Sequence, residues 1–232
     1  MDFIFPFFAG NENALTVSSG GGGGGITFTG FTAPSPNIGF YGNSCTFTIT
    51  PPNTGLTLIA VAGDSGTNIT SVSLFIDGSA TSVTGSACNP GLYYIAATHN
   101  TSQTVTVNFS GFTSSAVLAY AQLSGLTSNT PDYSATAYTL SASSPWNLGS
   151  TLTVNASGIG VYAAAFEVNG SGDTIPFSWI GASPDHTSEV GETSGNGAQL
   201  GFATSTSSAN PSVTPTSSGI SADFGMTAAS WH

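Results

Sequence analysis

The chain has 232 residues and contains neither Lys nor Arg, while eleven Asp and Glu residues give it a formal net charge of −11. A chain without permanent cations cannot clamp phosphate with a guanidinium group, and it repels nucleic acid and anionic membranes. The composition therefore argues strongly against nucleic-acid partners. Because charged residues are so few, the solubility of the protein must depend on Ser, Thr, Asn and Gly.

Residues 1–25 differ from the rest of the chain and are predicted to form an extended N-terminal arm with a flexible tether. Six consecutive glycines at positions 20–25 form the tether. Asp2 and Pro6 make the apolar start unlike a secretion signal, and no apolar run reaches the roughly 18 residues that cross a bilayer. We expect the arm to bind a partner protein, although a strand folded back onto its own domain is the alternative. The predicted contact residues are Phe3, Ile4, Phe5, Phe7 and Phe8.

From Ile26 onward, short strand signals recur between clusters of Gly, Pro, Asn and Ser, which is typical of a sandwich or barrel. Thr46–Ile49 alternates between apolar and polar residues, and the apolar run Leu56–Val61 suits a central strand. Val72–Ile76 leads into Asp77-Gly78, which is a hairpin signal. Leu92–Ala97 is the next predicted strand.

Two alternating segments follow, at Val105–Phe109 and Ala116–Leu123, and they are predicted to be neighbouring strands. The last segment, Ile220–Trp231, places Ile220, Ala222, Phe224, Met226 and Ala228 on one face. The sequence thus predicts an all-β, antiparallel, jelly-roll-like β-sandwich over residues 26–232, which could divide into two subdomains near 130–150. Further strands are predicted at Thr151–Val154, Gly160–Val168, Ile175–Trp179, Ala198–Ala203 and Ser212–Thr216.

A few side chains could bind ligands or form covalent links. Trp146 follows a proline in a predicted loop and is the best candidate for an exposed aromatic that stacks on a ligand such as a sugar. Cys45 and Cys88 could form one disulfide, or both could be small buried hydrophobic residues. The sequence does not decide between these two interpretations.

The densest acidic stretch could bind Ca²⁺, because hard cations prefer oxygen ligands and this chain has no Lys or Arg to neutralise the acids. A solvated loop is the alternative, and no other cofactor is indicated. No Gly-x-Ser-x-Gly motif is present, and the three His residues lie in unrelated turns, so we expect a protein that is not an enzyme. The four candidate metal ligands are Asp173, Asp185, Glu189 and Glu192.

The succession and spacing of strand segments over residues 43–232 resemble those of β-sandwich domains in bacteriophage virion proteins and bacterial surface proteins. The resemblance implies a location on a virion or cell surface. We therefore expect a capsid decoration or fibre-like protein of a bacteriophage, which binds other virion proteins and sibling subunits as a homo-oligomer. A carbohydrate-binding receptor or adhesin that recognises a host surface glycan, or a subunit of an extracellular filament, are the alternatives. The segments that carry the resemblance are Thr104–Gly111, Ala116–Gly125, Thr151–Val154, Val161–Phe166, Phe177–Gly181 and Gly225–Trp231.

Overall fold

A computed structural model gives the fold of this chain. It describes residues 15–17, 25–34, 39–51, 55–63, 67–86, 89–169, 177–190, 196–215 and 221–232. Within these ranges the chain forms antiparallel β-strands and no helix, so the predicted all-β fold is confirmed. The strands are β1 (Leu15–Val17), β2 (Ile26–Phe28), β3 (Gly39–Ile49), β4 (Leu56–Gly63), β5 (Ile69–Leu74), β6 (Gly78–Ser79), β7 (Thr81–Ser82), β8 (Gly91–Ile95), β9 (Gln103–Ser124), β10 (Tyr133–Ser143), β11 (Trp146–Asn147), β12 (Ile159–Asn169), β13 (Phe177–Ile180), β14 (Ser183–Val190), β15 (Asn196–Ser205), β16 (Ser212–Pro215) and β17 (Ser221–Trp231).

The strands stack in four layers. The first layer contains β3, β5 and β6 together with the first half of β9, and the second contains β1, β2, β4, β7 and β8 together with the second half of β9. The third layer is a five-stranded sheet in the order β10-β17-β12-β15-β14, and the fourth is a three-stranded sheet in the order β11-β16-β13. The molecule is therefore a sandwich with more layers than a simple pair of sheets.

Three hydrophobic cores lie between the four layers, and the two inner layers contribute side chains to a core on each face. In β4, Leu58 and Ala60 point into the core shared with the third layer, whereas Ile59 points into the core shared with the first. In β12, Val161 and Tyr162 are divided in the same way between the second core and the third. This double burial explains why the inner strands have continuous apolar sequences.

The outer layers have one solvated face, and their sequences alternate accordingly. In β3, Phe47 and Ile49 are buried in the first core, while Thr46 and Thr48 between them are exposed. Cys45 lies on the same buried face as Phe47. The alternation from which the sequence predicted this strand is thus the signature of an outer sheet.

The prediction that Val105–Phe109 and Ala116–Leu123 are two neighbouring strands is wrong. Both belong to β9, a single strand of 22 residues that runs from the first layer into the second. The linking residues 110–115 include Thr and Phe, which favour strands, and no proline. Opposite them, the register against β3 jumps from Thr113 to Asn108, which marks a bulge. The bulge reverses which alternate residues face the first core.

Most other predicted strands agree with the structure to within a few residues, but β3 begins at Gly39, seven residues before the predicted Thr46–Ile49. The short strands β6, β7 and β11 were not predicted. Leu152, in a predicted strand, makes only an isolated bridge to Ala209. Strands β10 and β14 were not predicted. They lie at the two edges of the third layer, where β14 has few apolar residues and the apolar residues of β10 are mostly alanines and half-exposed tyrosines. Among the described residues of β10, Ala135 and Ala137 are only partly buried.

The two halves of the chain share the middle core. The chain passes from the second layer to the third through residues 125–132. The division into two subdomains near 130–150 stays a prediction. The ring of Phe31, from the first half, stacks on Phe202 with centroids 3.9 Å apart and an interplanar angle of 15°. The Thr227 hydroxyl donates a buried hydrogen bond of 2.6 Å to the Pro90 carbonyl. The layers from both halves thus pack against each other directly.

Two buried tyrosines should respond in opposite ways to the loss of their hydroxyl groups. Tyr162 has no hydrogen-bond partner for its hydroxyl among the described residues, whereas Tyr93 donates to the Ile69 carbonyl at 3.0 Å. A buried hydroxyl without a partner is unfavourable because it loses its bonds to water. We expect Tyr162→Phe to raise the free energy of unfolding by about 1 kcal/mol and Tyr93→Phe to lower it by about 1 kcal/mol. Urea denaturation measures both changes, and equal effects of the two substitutions would contradict this assignment.

Gly225 in β17 marks a close approach between the second and third layers. A Cβ atom at this position would lie 2.2 Å from the Asn89 carbonyl oxygen and 2.7 Å from Pro90 Cδ. Because these atoms belong to the backbone and to a rigid ring, we expect Gly225→Ala to destabilise the fold by about 1–3 kcal/mol. The control is Gly111→Ala, whose Cβ would meet only Thr67 Cγ2 at 3.6 Å. Thermal and urea denaturation should separate the two variants, and equal stability would count against the tight interlayer contact.

Candidate functional site

The turn between β5 and β6 exposes two large apolar side chains. Phe75 is 85% exposed and Ile76 is 44% exposed, and both lie in the turn that ends at Asp77. The sequence predicted the hairpin from Asp77-Gly78, but not the exposure of these side chains, because Phe and Ile in a strand-like run usually indicate core. We call Phe75, Ile76 and Asp77 the hairpin tip.

A hydrogen-bond network holds the hairpin tip in place from below. The Asp77 carboxylate is only 2% exposed and accepts bonds from the Thr98 backbone N–H at 3.0 Å, the Thr98 hydroxyl at 2.8 Å and His99 Nδ1 at 2.8 Å. Gln103 donates its side-chain amide to the other carboxylate oxygen. The Gln103 amide oxygen accepts the N–H groups of Ile76 and Asp77 at 3.2 and 3.3 Å. The exposed apolar side chains therefore sit on a braced turn.

The same network controls the charge of Asp77. Burial of the carboxylate raises its pKa, but the hydrogen bonds from His99, Thr98 and Gln103 lower it by more, so the pKa of Asp77 lies well below its usual range. The carboxylate lies close to the protein surface, and the groups that donate hydrogen bonds to it also shield it from solvent. Asp77 is consequently ionised at neutral pH although the chain has no Lys or Arg to pair with it.

A small polar cleft lies at the end of the first core. It has a volume of about 180 Å³. Its wall is the loop at residues 29–32, which is bonded to β9 by Thr32 N–H to the Tyr120 carbonyl at 2.8 Å and by the reverse bond at 2.9 Å. The Thr29 hydroxyl also accepts the Gln122 N–H at 3.0 Å. The cleft lining carries hydroxyl, amide and aromatic groups and no charged side chain; it consists of Thr29, Gly30, Thr32, Thr50, Asn100, Tyr120, Ala121 and Gln122.

The loop that forms the cleft wall is anchored to the second half of the chain. The Phe31 N–H donates a bond of 2.6 Å to Asp185 Oδ2, and the Phe31 ring is buried against Phe202. Gly30 has a φ of 81°, and a Cβ atom there would lie 3.0 Å from Asp185 Oδ1. The left-handed backbone and the close carboxylate both favour glycine at this position. The cleft is therefore formed in advance of any ligand.

The predicted exposure of Trp146 is wrong. Trp146 lies in β11 and is only 3% exposed, because the fourth layer covers the third. Its ring stacks on Phe224 with centroids 5.5 Å apart and contacts Phe166 at 5.2 Å. This tryptophan packs the third core and offers no face to a ligand. The proline before it suggested a loop, but the short strand begins immediately after that proline.

The remaining predicted site residues lie mostly outside the described part of the chain. This holds for the arm residues Phe3, Ile4, Phe5, Phe7 and Phe8, for Cys88, and for Asp173 and Glu192. The side chain of Glu189 is not described, and Asp185 is engaged with the Phe31 N–H. The arm contacts and the Ca²⁺ site therefore stay predictions. Among the described residues, no group of three or more His, Cys, Asp or Glu side chains is arranged to hold a metal ion.

Cys45 is buried in the first core and forms no disulfide with another described residue, and burial raises the pKa of its thiol to about 12. At neutral pH it is therefore protonated and a poor nucleophile. Its proposed disulfide partner, Cys88, is not described, so the pairing stays a prediction.

Comparisons with protein family models, with curated proteins and with solved structures found no match to this chain. A search of the described residues for a helix long and apolar enough to cross a membrane found none. The function is accordingly inferred from the chain's own residues.

The network at Asp77 predicts a pH-dependent contribution to stability. Because the pKa of Asp77 is lowered by folding, its contribution is complete well above the unfolded pKa of about 3.9 and is lost as the pH falls below that value. We expect Asp77→Asn to lower the free energy of unfolding by about 1–2 kcal/mol at pH 7 and by much less at pH 2.5. Urea denaturation at both pH values measures this difference.

The control for this experiment is Asp132→Asn. Among the described residues, the Asp132 carboxylate hydrogen-bonds only the His232 ring, at 2.7 Å. The His232 side chain is 43% exposed and that of Asp132 is 15% exposed, and a pair with such an exposed partner contributes about 0–1 kcal/mol. If Asp77→Asn had no greater effect at pH 7 than Asp132→Asn, the network would not be stabilising the hairpin tip.

Proposed function

We propose that this chain is a structural surface protein of a bacteriophage virion, either a capsid decoration protein or a fibre-like protein. It docks on capsid or tail proteins, or on sibling subunits, through its Phe-rich N-terminal arm. The layered β body stays on the outside of the particle. This role needs a stable scaffold and a docking segment, and it requires no catalytic group.

The observation that carries this proposal is the position of β1. Leu15–Val17 pairs with β2 in antiparallel register and forms one edge of the second layer. The Phe-rich residues come before β1 in the sequence, separated from it by residues 9–14, and the described chain begins at this sheet edge. Edge strands are also the usual place at which one chain adds to another.

The docking energy would come from apolar side chains. Each of Phe3, Ile4, Phe5, Phe7 and Phe8 could contribute about 1.5–3 kcal/mol if buried in a partner, before the entropy lost on ordering is subtracted. The net free energy with which one arm binds is therefore modest. Repetition by particle symmetry strengthens it, because many weakly bound copies attached to one particle reinforce each other.

The surface chemistry also supports close packing of many copies. The acids with described contacts are satisfied within the chain, since Asp77 accepts bonds from Thr98 and His99, and Asp185 from the Phe31 N–H. With charged residues at only 5% of the chain, the surface relies on neutral hydroxyl and amide groups. Each copy still carries a net charge of −11, so close packing of identical subunits requires that the contact surfaces themselves be built from these neutral groups.

A carbohydrate-binding receptor or adhesin is the second candidate function. The polar cleft beside Tyr120 favours it, because the lining offers neutral hydrogen-bonding groups and one aromatic ring. The two roles are compatible, since a virion surface protein can also contact a host glycan.

Replacing the apolar arm side chains should abolish docking without unfolding the body. We expect a variant with Phe3, Phe5, Phe7 and Phe8 changed to Ser to lose at least ten-fold in incorporation into particles, because the buried apolar area is removed. Incorporation is measured in particles assembled without the wild-type chain, by intact mass or by chymotryptic peptides, since trypsin finds no Lys or Arg to cut after.

The control replaces Asn11 and Asn13 by Ser in the same segment and should incorporate normally. Thermal denaturation of both soluble variants should match the wild type. Normal incorporation of the Phe-to-Ser variant would refute docking through the arm.

A further inference from the structure

The polar cleft described above is a binding site, and we infer that it takes one neutral pyranose unit of a glycan. This inference rests on the second candidate function, for which it names the class of sugar, and it does not depend on docking through the arm. Three features of the described residues carry it: the chemistry of the lining, the rigidity of the wall and the size of the cleft.

The lining matches the groups of a sugar ring. Hydroxyl groups of Thr29, Thr32 and Thr50 and the side-chain amide of Asn100 can donate to and accept from sugar hydroxyls. Tyr120 supplies an aromatic ring at the same cleft, and aromatic faces pack well against the C–H faces of pyranoses. A purely apolar ligand would displace water from the exposed polar groups of Thr32, Thr50 and Asn100 without replacing its hydrogen bonds, which is unfavourable.

The ligand must also be uncharged. No acidic or basic side chain lines the cleft, and the whole chain carries no Lys or Arg that could neutralise an anion. A carboxylate or phosphate on the ligand would enter the field of a chain with net charge −11 and find no cationic partner. Sialic acids, uronic acids and phosphorylated sugars are therefore disfavoured relative to neutral hexoses.

The wall of the cleft is rigid before the ligand arrives. Reciprocal backbone bonds join Thr32 to Tyr120, and the buried Phe31 between the lining residues is fixed by Phe202 and by Asp185. A preformed site avoids the entropy that a flexible loop would lose on binding. Of the lining residues, Thr29, Thr32, Thr50 and Asn100 are exposed and so are accessible from solvent.

The size limits the ligand to a single ring. The cleft of about 180 Å³ is smaller than the roughly 300–1,000 Å³ of sites for drug-sized ligands. One pyranose would occupy it while the rest of a glycan extends into solvent. Because a single ring has few atoms, we expect a Kd on the order of 1 mM for a monosaccharide. Many copies on one surface would bind a multivalent glycan with a much higher overall avidity than this single weak contact gives.

The test uses the full chain labelled with ¹⁵N and methyl glycosides of glucose, galactose, mannose and N-acetylglucosamine. We expect at least one glycoside to shift the amide resonances of Tyr120 and Gln122 and to show contacts with the Tyr120 ring protons. A double variant, Thr50→Val with Asn100→Ala, should weaken binding at least five-fold. Both positions are exposed, so the fold should persist, and thermal denaturation verifies this.

Two controls make the result specific to this site. The matched double variant Thr46→Val with Asn43→Ala changes the same residue types on the exposed face of β3 and should bind like the wild type. Methyl glucuronide, which differs from methyl glucoside by a carboxylate, should bind at least five-fold more weakly. Three results would overturn the inference: no shift with any glycoside, unchanged binding by the cleft variant, or equal affinity for the glucuronide.

Discussion

The burial of the second and third layers on both faces is the constraint on which the rest of this structure depends. A strand with two buried faces has no solvated side on which to place polar residues, and its sequence must be apolar at consecutive positions. Leu56–Val61 and Phe224–Trp231 meet this requirement at most positions. The exceptions are the buried polar residues Thr57, Thr227 and Ser230, and Gly225, where the Asn89–Pro90 turn comes close. The outer layers then carry the polar surface, the hairpin tip and one wall of the polar cleft.

Charge is handled in an unusual way for a chain of this size. Carboxylates in folded proteins are commonly paired with Lys or Arg, and here that option is missing. Asp77 and Asp185 instead accept hydrogen bonds from backbone N–H groups, hydroxyls or imidazole, which can hold a carboxylate in its ionised form. These hydrogen bonds stabilise local structure: those of Asp77 hold the hairpin tip, and that of Asp185 holds the loop beside the cleft.

The sequence was sufficient for the fold class and for most strand positions, because alternation and apolar runs report directly on burial. Sequence periodicity could not show that β9 is one strand, since a bulge changes the phase of alternation and looks like a turn. Trp146 was predicted to be exposed because the proline before it indicated a loop. The sequence does not show that the fourth layer covers this residue. The cleft was missed entirely, since Thr29, Asn100 and Tyr120 come from distant segments and are common residue types.

The position of β17 has a consequence for how this chain reaches its folded state. β17 lies between β10 and β12, and its pairing with β10 joins Tyr133 to Ser230. Until β17 has been synthesised, β10 has no partner in its sheet and β12 has one open edge, and both can pair with other chains. High local concentrations of nascent chains on one messenger would favour aggregation during this interval.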